Sequence, residues 1–298
     1  MTGADPAPRV RVGISGWRYT PWRGTFYPKG LVQRRELAYV GEHLSTLEIN
    51  GTFYALQTPT SFQRWRDEVP DDFVFSVKAP RYITHILRLR NTRQALANFF
   101  ASGILALGPG LGPLLWQLPA RETFDADVLD AFLALLPRTT TEAAGFAQER
   151  DDRMTDREWL TTDVDRPLHH ALEVRHDSFT SSEAVDIVRR HGVALVVADT
   201  AGKWPEVREI TADVVYVRLH GASELYTSGY SEDELHTWAA RCTAWRDGSA
   251  SEPGRDVFVY FDNDVKVRAP FDAMRLTQMP DLTRPSPLSS APWGTDAT

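Results

Sequence analysis

The chain has 298 residues, 42% hydrophobic and 24% charged, the proportions of a globular protein with a substantial core. Its 33 basic and 40 acidic residues give a formal charge of −7, which argues against a general nucleic-acid binder, since that task needs a basic face to displace counterions from phosphate. A single cysteine, Cys242, excludes an internal disulfide; with no apolar run of signal-peptide or membrane-span type, a cytoplasmic location is expected.

Residues 1–8 read as a disordered N-terminus. Strands are then predicted at 9–17, 45–50, 72–80 and 112–119, and again at 169–176, 192–199, 213–221 and 256–264. Amphipathic stretches between them predict helices over 33–43, 58–68, 91–103, 125–136, 181–191, 231–246 and 269–278. Ser231 followed by Glu234 forms a capping-box pattern at one helix start. The connection "TAGKWPEVREI" between the sixth and seventh strands is too short for a full helix. The polar stretch 138–168 reads as an insertion preceding a strand, hence on the N-terminal face of a barrel, and 280–298 reads as a disordered tail. Eight strands alternating with helices over about 270 residues predict one (β/α)8 barrel of the TIM type, spanning 9–279. An open doubly wound sheet is the runner-up, but no Gly-x-Gly-x-x-Gly follows the first strand.

Alternate residues of a strand face opposite sides. In "LEIN", Glu48 and Asn50 oppose Leu47 and Ile49; in "ALEVRH", Glu173 and Arg175 oppose Leu172 and Val174; in "YVRLHG", Arg218 and His220 oppose Val217 and Leu219. The apolar faces must meet the helices, so the polar sets point into the barrel, at the C-terminal strand ends where barrel enzymes hold their active sites. Lys78, Gln117, Asp199 and a member of "FDND" join them, with Asn263 favoured inward over Asp262. Pairing is expected between Glu48, Glu173 and Asp199 and Lys78, Arg175 and Arg218. Such a network could serve only to specify the fold, but a buried ion network is a poor source of stability, and so many charges at one mouth point to a functional site. Loops after the strands add Trp17, Tyr19, Tyr54, Arg81, His85 and Tyr226, the makings of an aromatic-walled cleft.

These motifs resemble the YecE-like family, domain of unknown function 72 (DUF72). The resemblance rests on "GxSGWxYxxWxGxFYP" at 13–28, "LEINxTFY" at 47–54, "FxFSVKAPRxITH" at 73–85 and "WQLP" at 116–119. It continues through "ALEVRHxSF" at 171–179, "YVRLHG" at 216–221 and "VYFDND" at 259–264. It implies a TIM-type barrel, as the strand count does. The last motif usually carries two asparagines, and here the first is Asp262.

The residues narrow the chemistry. Only His220 and His85 sit plausibly at the mouth, which disfavours a transition-metal site; Mg²⁺ on the carboxylates would face competition from Lys78, Arg175 and Arg218. Glu48 and Glu173 do not match the layout of familiar barrel glycosidases. Lys78 could form a Schiff base if its pKa were lowered, although an ion pair with Glu48 is the expectation. What remains is a metal-independent, cofactor-free enzyme, a hydrolase, lyase or isomerase acting on a small anionic ring-bearing or sugar-like substrate. Arg175 and Arg218 would clamp the anion, with Asn50, Gln117, Asp199, Asn263 and the loop aromatics lining the pocket. Glu48, Glu173, His220 and Lys78 are the candidates for chemistry. The alternatives are a non-catalytic metabolite-binding protein and, third, an enzyme of single-stranded or modified nucleotides.

Overall fold

The structure, a computed structural model, describes residues 7–283; most of the stretches read as disordered termini, 1–6 and 284–298, lie outside it. Nine parallel strands are β1 (Val10–Ser15), β2 (Thr46–Ile49), β3 (Val74–Lys78), β4 (Leu111–Gln117), β5 (His170–Glu173), β6 (Ala194–Leu195), β7 (Val197–Asp199), β8 (Val214–Leu219) and β9 (Asp256–Phe261). Their order is β6-β5-β4-β3-β2-β1-β9-β8-β7. The two ends, β6 and β7, are halves of one strand separated by Val196, so the ring has eight positions and is a TIM-type barrel. Beside the interruption stands a residue distant in sequence. Thr211, from the segment leading into β8, accepts the Leu195 N–H at 2.8 Å and donates to Val193 O, so its hydroxyl stands where a neighbouring strand would bond.

Seven helices match the sequence periodicity: α1 (Glu36–His43), α3 (Pro59–Asp67), α4 (Arg93–Ala101), α5 (Ala126–Ala134), α7 (Ser182–Arg190), α8 (Glu232–Asp247) and α9 (Ala269–Thr277); α2 (Gly51–Tyr54), α6 (Thr140–Ala147) and α10 (Pro280–Thr283) are additions to it. Thr58, Asp125, Thr139, Ser181 and Ser231 each accept a backbone N–H from the first turn of α3, α5, α6, α7 and α8, satisfying donors the helix itself cannot. Ser231 and Glu234 complete a capping box. Leu47, Ile49, Leu172, Val217 and Leu219 pack outward against these helices. The floor of the barrel is a second, inner cluster that includes Leu115, Ala171, Ala194, Val196, Ala198, Tyr216, Phe258 and Tyr260.

Two expectations change. Residues 280–283 are helical rather than loose: Thr243 and Arg246 of α8 donate to the carbonyls of Asp281 and Leu282. The 138–168 insertion is not confined to the N-terminal face. It contains α6, which packs on α4, and then climbs α4, where Arg93 pairs with Glu149 and Asn98 accepts the Asp151 N–H. Its residues Arg153, Met154 and Arg157 arrive beside Arg81 and Tyr82, which follow β3 at the C-terminal rim.

Candidate active site

A polar column rises through the barrel from the inward faces of the strands. Tyr260 meets Thr46 at 2.8 Å and Tyr216 meets Ser76 at 2.8 Å; the Tyr216 hydroxyl donates to Glu48 Oε2 at 2.7 Å. Above them Arg218 is the centre of the site. Its Nη2 and Nε donate to Glu48 (2.9 and 3.1 Å), its Nη1 to Glu173 Oε2 (2.7 Å), and its Nη2 also to Asp262 Oδ2 (3.0 Å) and Ser15 Oγ (3.2 Å). One guanidinium thus holds carboxylates from the second, fifth and last barrel strands, a use of its planar fork that lysine could not reproduce. Glu173 further accepts two contacts from Gln117 Nε2 at 3.0 Å and one from Arg175 Nε at 2.7 Å. Burial pushes the Glu173 carboxyl up, but Arg175 and Arg218 outweigh it and hold the group well below the usual carboxylate range. Asp262 is likewise pulled down, against its burial, by Arg218 and then His220. His220 lies behind this layer, fully buried, with Nδ1 3.0 Å from Asp262 Oδ2 but without hydrogen-bond alignment.

The solvent side of the ring differs. Arg175 lies over Trp204, its Cζ 3.9 Å from the ring centroid, a close cation–π contact. Tyr226 adopts φ 61°, uncommon for a tyrosine; its hydroxyl lies 3.4 Å from Arg175 Nη2 and its ring 5.3 Å from that of His220. Lys78 is 9% exposed, with Nζ 4.6 Å above the Phe53 ring, and makes no hydrogen bond or ion pair among the described residues. The pairing expected with Glu48 is therefore absent, because Arg218, Ser15 and Tyr216 fill both Glu48 oxygens. Burial and then the Arg218 charge lower the Lys78 pKa to about 8. His85, half-buried, falls to about 4 through burial and then Lys78, Arg175, Arg81 and Arg121, so the field at the mouth is positive. Asp264 is raised to about 6 by burial and the neighbouring Asp262.

Several sequence-derived candidates stand elsewhere. Arg218 cannot be the exposed half of an anion clamp, since its side chain is wholly enclosed and spent on carboxylates. Asn263 faces the outer layer, donating to Asp272 Oδ2 and Ser228 O, and Asp262 takes the inward place. Val257, Val259 and Phe261 form the helix-facing side of β9 and Phe258 and Tyr260 the inner side, which sets that parity. Asp199 is also off the ring: Ala194, Val196 and Ala198 point inward, leaving Asp199 to accept from Tyr230 OH and Ala201 N. Trp17 packs edge-on against Trp65 of α3 at 5.3 Å, in the outer core rather than a cleft. Tyr19 remains at the rim, its hydroxyl on Ser15 O at 2.7 Å. Asn50, just past β2, keeps a buried Oδ1 without a partner. Tyr54 and Arg81 line a cavity of about 300 Å³ beside the ring, with Phe53, Tyr82, Met154 and Arg157. Sequence reasoning missed Trp204, Ser15 and Tyr216. The last two share inward parity with Arg218's contacts and could have been found by extending the alternation, whereas Trp204 sits in a loop without periodicity.

Among the described residues no group of three His, Cys, Asp or Glu side chains is arranged to hold a metal ion, and no helix is long and apolar enough to cross a membrane. Fold and site together define a (β/α)8 barrel with an arginine-centred ion network beneath a cationic mouth. The chain belongs to the family described as protein of unknown function DUF72, whose model matches residues 11–295. It is 26% identical over 239 residues to the UPF0759 protein YecE of Escherichia coli (strain K12), covering 79% of this chain and 82% of that one. It is 22% identical over 295 residues to the UPF0759 protein YunF of Bacillus subtilis (strain 168), covering 92% and 95%. Among solved structures, the DUF72 family protein TM1631 of Thermotoga maritima MSB8 superposes with a TM-score of 0.69 at 25% identity, over 91% of this chain and 98% of that one. The DUF72 family protein EF0366 of Enterococcus faecalis V583 gives 0.66 at 15% identity, over 93% and 96%, a likeness of fold.

Proposed function

We propose that the barrel mouth is the active site of a metal-independent enzyme, a hydrolase, lyase or isomerase, for a small anionic ring-bearing or sugar-like substrate. The observation that carries this reading is that Lys78 makes no ion pair among the described residues and that Arg175 gives only its Nε to a carboxylate, leaving its Nη groups free of one. Arg175 keeps one edge of its fork for a carboxylate or phosphate, and its contact with Trp204 fixes that edge in place. Glu48 and Glu173 then act as anchors for Arg218 and Arg175 rather than as proton acceptors. Lys78, lowered to about 8, and Asp264, raised to about 6, are moved toward neutral pH and so suited to proton transfer.

The test is thermal denaturation in the presence of inorganic phosphate. Phosphate should raise the melting temperature of the wild type, because a ligand stabilises the state that binds it. Arg175→Ala should abolish the rise, and Arg175→Lys should restore only part of it, lacking the bidentate fork. A full phosphate shift in Arg175→Ala would overturn the reading. A second reading, a binding protein without turnover, is favoured by one fact: Glu173 accepts hydrogen bonds on both oxygens, from Arg175 on Oε1 and Arg218 on Oε2, and is held firmly ionised, a poor state for a general base. The two readings share the Arg175 result and part at Lys78.

A further inference from the structure

We propose that Lys78 is a covalent, imine-forming nucleophile for an anionic aldehyde or ketone bound at Arg175. This rests on the mouth being the anion site and narrows the reaction to a lyase or isomerase. The chain uses arginine almost everywhere: four of its 33 basic residues are lysines. Lys29, Lys203 and Lys266 are exposed, whereas Lys78 closes β3 on the inner face of the barrel, more than nine-tenths buried. A lysine kept in water has no reason to lose its proton. Lys78 is buried beside Arg218 with no carboxylate in contact, which are the conditions that make an amine nucleophilic near neutral pH, and the Phe53 ring below Nζ closes off that side from water. An arginine there could not titrate.

The step balances within the site. The neutral amine adds to the carbonyl carbon, and its N–H proton passes to the oxygen to give a carbinolamine. The hydroxyl takes a second proton from solvent at the open mouth and leaves as water. The C=N⁺ iminium that remains carries one positive charge, which replaces that of the ammonium and is felt by Glu48, Asp262 and Glu173, the carboxylates that act on Lys78. The iminium withdraws electrons from the adjacent carbon, which serves proton abstraction, dehydration or carbon–carbon cleavage. Hydrolysis returns the amine, so no oxidant or reductant is consumed.

The experiment uses the wild-type protein with glyoxylate and cyanoborohydride, which reduces an imine to a stable secondary amine. Sites are located by peptide mapping. Lys78 should be labelled at least about tenfold faster than Lys29, Lys203 and Lys266 at pH 7.5. Its rate should rise with a midpoint near pH 8, while exposed lysines follow the ordinary value of about 10.4. Phosphate should compete, and neutral glycolaldehyde, which lacks the Arg175 contact, should show a smaller preference that phosphate does not reduce. Lys78→Gln should remove this label alone. Labelling of Lys78 no faster than the other three lysines would overturn the proposal. If phosphate still raises the melting temperature through Arg175 while Lys78 stays unlabelled, the imine fails and the anion site stands. Loss of both results removes the anion site as well.

Discussion

Glu173 shows what a single residue does in this ring. Its two oxygens accept from Gln117, Arg175 and Arg218, so Glu173→Gln keeps the shape but leaves guanidinium groups short of an anion. The expected cost is about 3–5 kcal/mol in chemical denaturation at pH 7, while Arg175 remains competent to bind phosphate. The cost has a definite pH window. Because the folded carboxyl is held below its unfolded value, its contribution is fully present above the unfolded pKa of about 4.3 and is lost as the pH falls through the folded value. The gap between wild type and variant should therefore be constant above about pH 5 and close as the solution is acidified; a gap that widens in acid would contradict the network. Period two was enough to place Glu48, Lys78, Glu173 and Arg218 on the inner face. It failed at Asp199 and Asn263, whose strands are apolar on both faces, so alternation there gave no sign of which side met the helices.

At the scale of elements, the alternation of strands and helices was legible to within a few residues, because the helix-facing side of most strands and the inward stripe of each helix are strongly apolar. Two features were not. Helix α6 lies in a polar stretch, and its start is marked only by Thr139 with Glu142 three residues on. At the break between β6 and β7, Thr211, sixteen positions beyond Leu195, takes the Leu195 N–H, a contact that local patterning cannot contain. The close approach of β1 and β2 is written in one residue. A Cβ on Gly13 would lie 2.0 Å from the Thr46 carbonyl oxygen, a backbone atom held by the sheet. Gly13→Ala should cost about 3 kcal/mol, the upper range for overpacking a tight site. It should also loosen Ser15 and Glu48 one turn of the pleat above, seen as faster amide exchange in β2. Ser231→Ala removes only a capping box and should cost about 1 kcal/mol without touching phosphate binding. Equal effects of the two substitutions would mean that the β1–β2 contact is softer than it looks.

For the whole molecule, the cationic mouth in a chain of net charge −7 is a local arrangement maintained against global stability. Lys78 is the group that carries the cost. Its pKa is lowered from 10.5 to about 8 by burial and by Arg218. Below pH 8 both folded and unfolded chains hold the proton, and the folded state bears the full penalty of a desolvated ammonium. Between 8 and 10.5 the unfolded chain holds a proton that the folded chain has released, so stability rises with pH across that window. The span corresponds to about 3 kcal/mol. Lys78→Met fills a similar volume without a charge. It is expected to stabilise the protein by about that amount at pH 7, and the advantage should shrink to nothing by about pH 10.5. Tyrosines with raised pKa values, such as Tyr216 and Tyr260, act in the opposite direction at the alkaline end. Both proteins carry them, so the difference between the two stability curves isolates Lys78. Urea denaturation of the pair from pH 6 to 10.5 measures it. A variant less stable than wild type at pH 7 would mean that Lys78 has a stabilising partner after all, and its role as a free amine would fall. A more stable variant that has also lost glyoxylate labelling would mark Lys78 as a residue retained for chemistry at the expense of the fold.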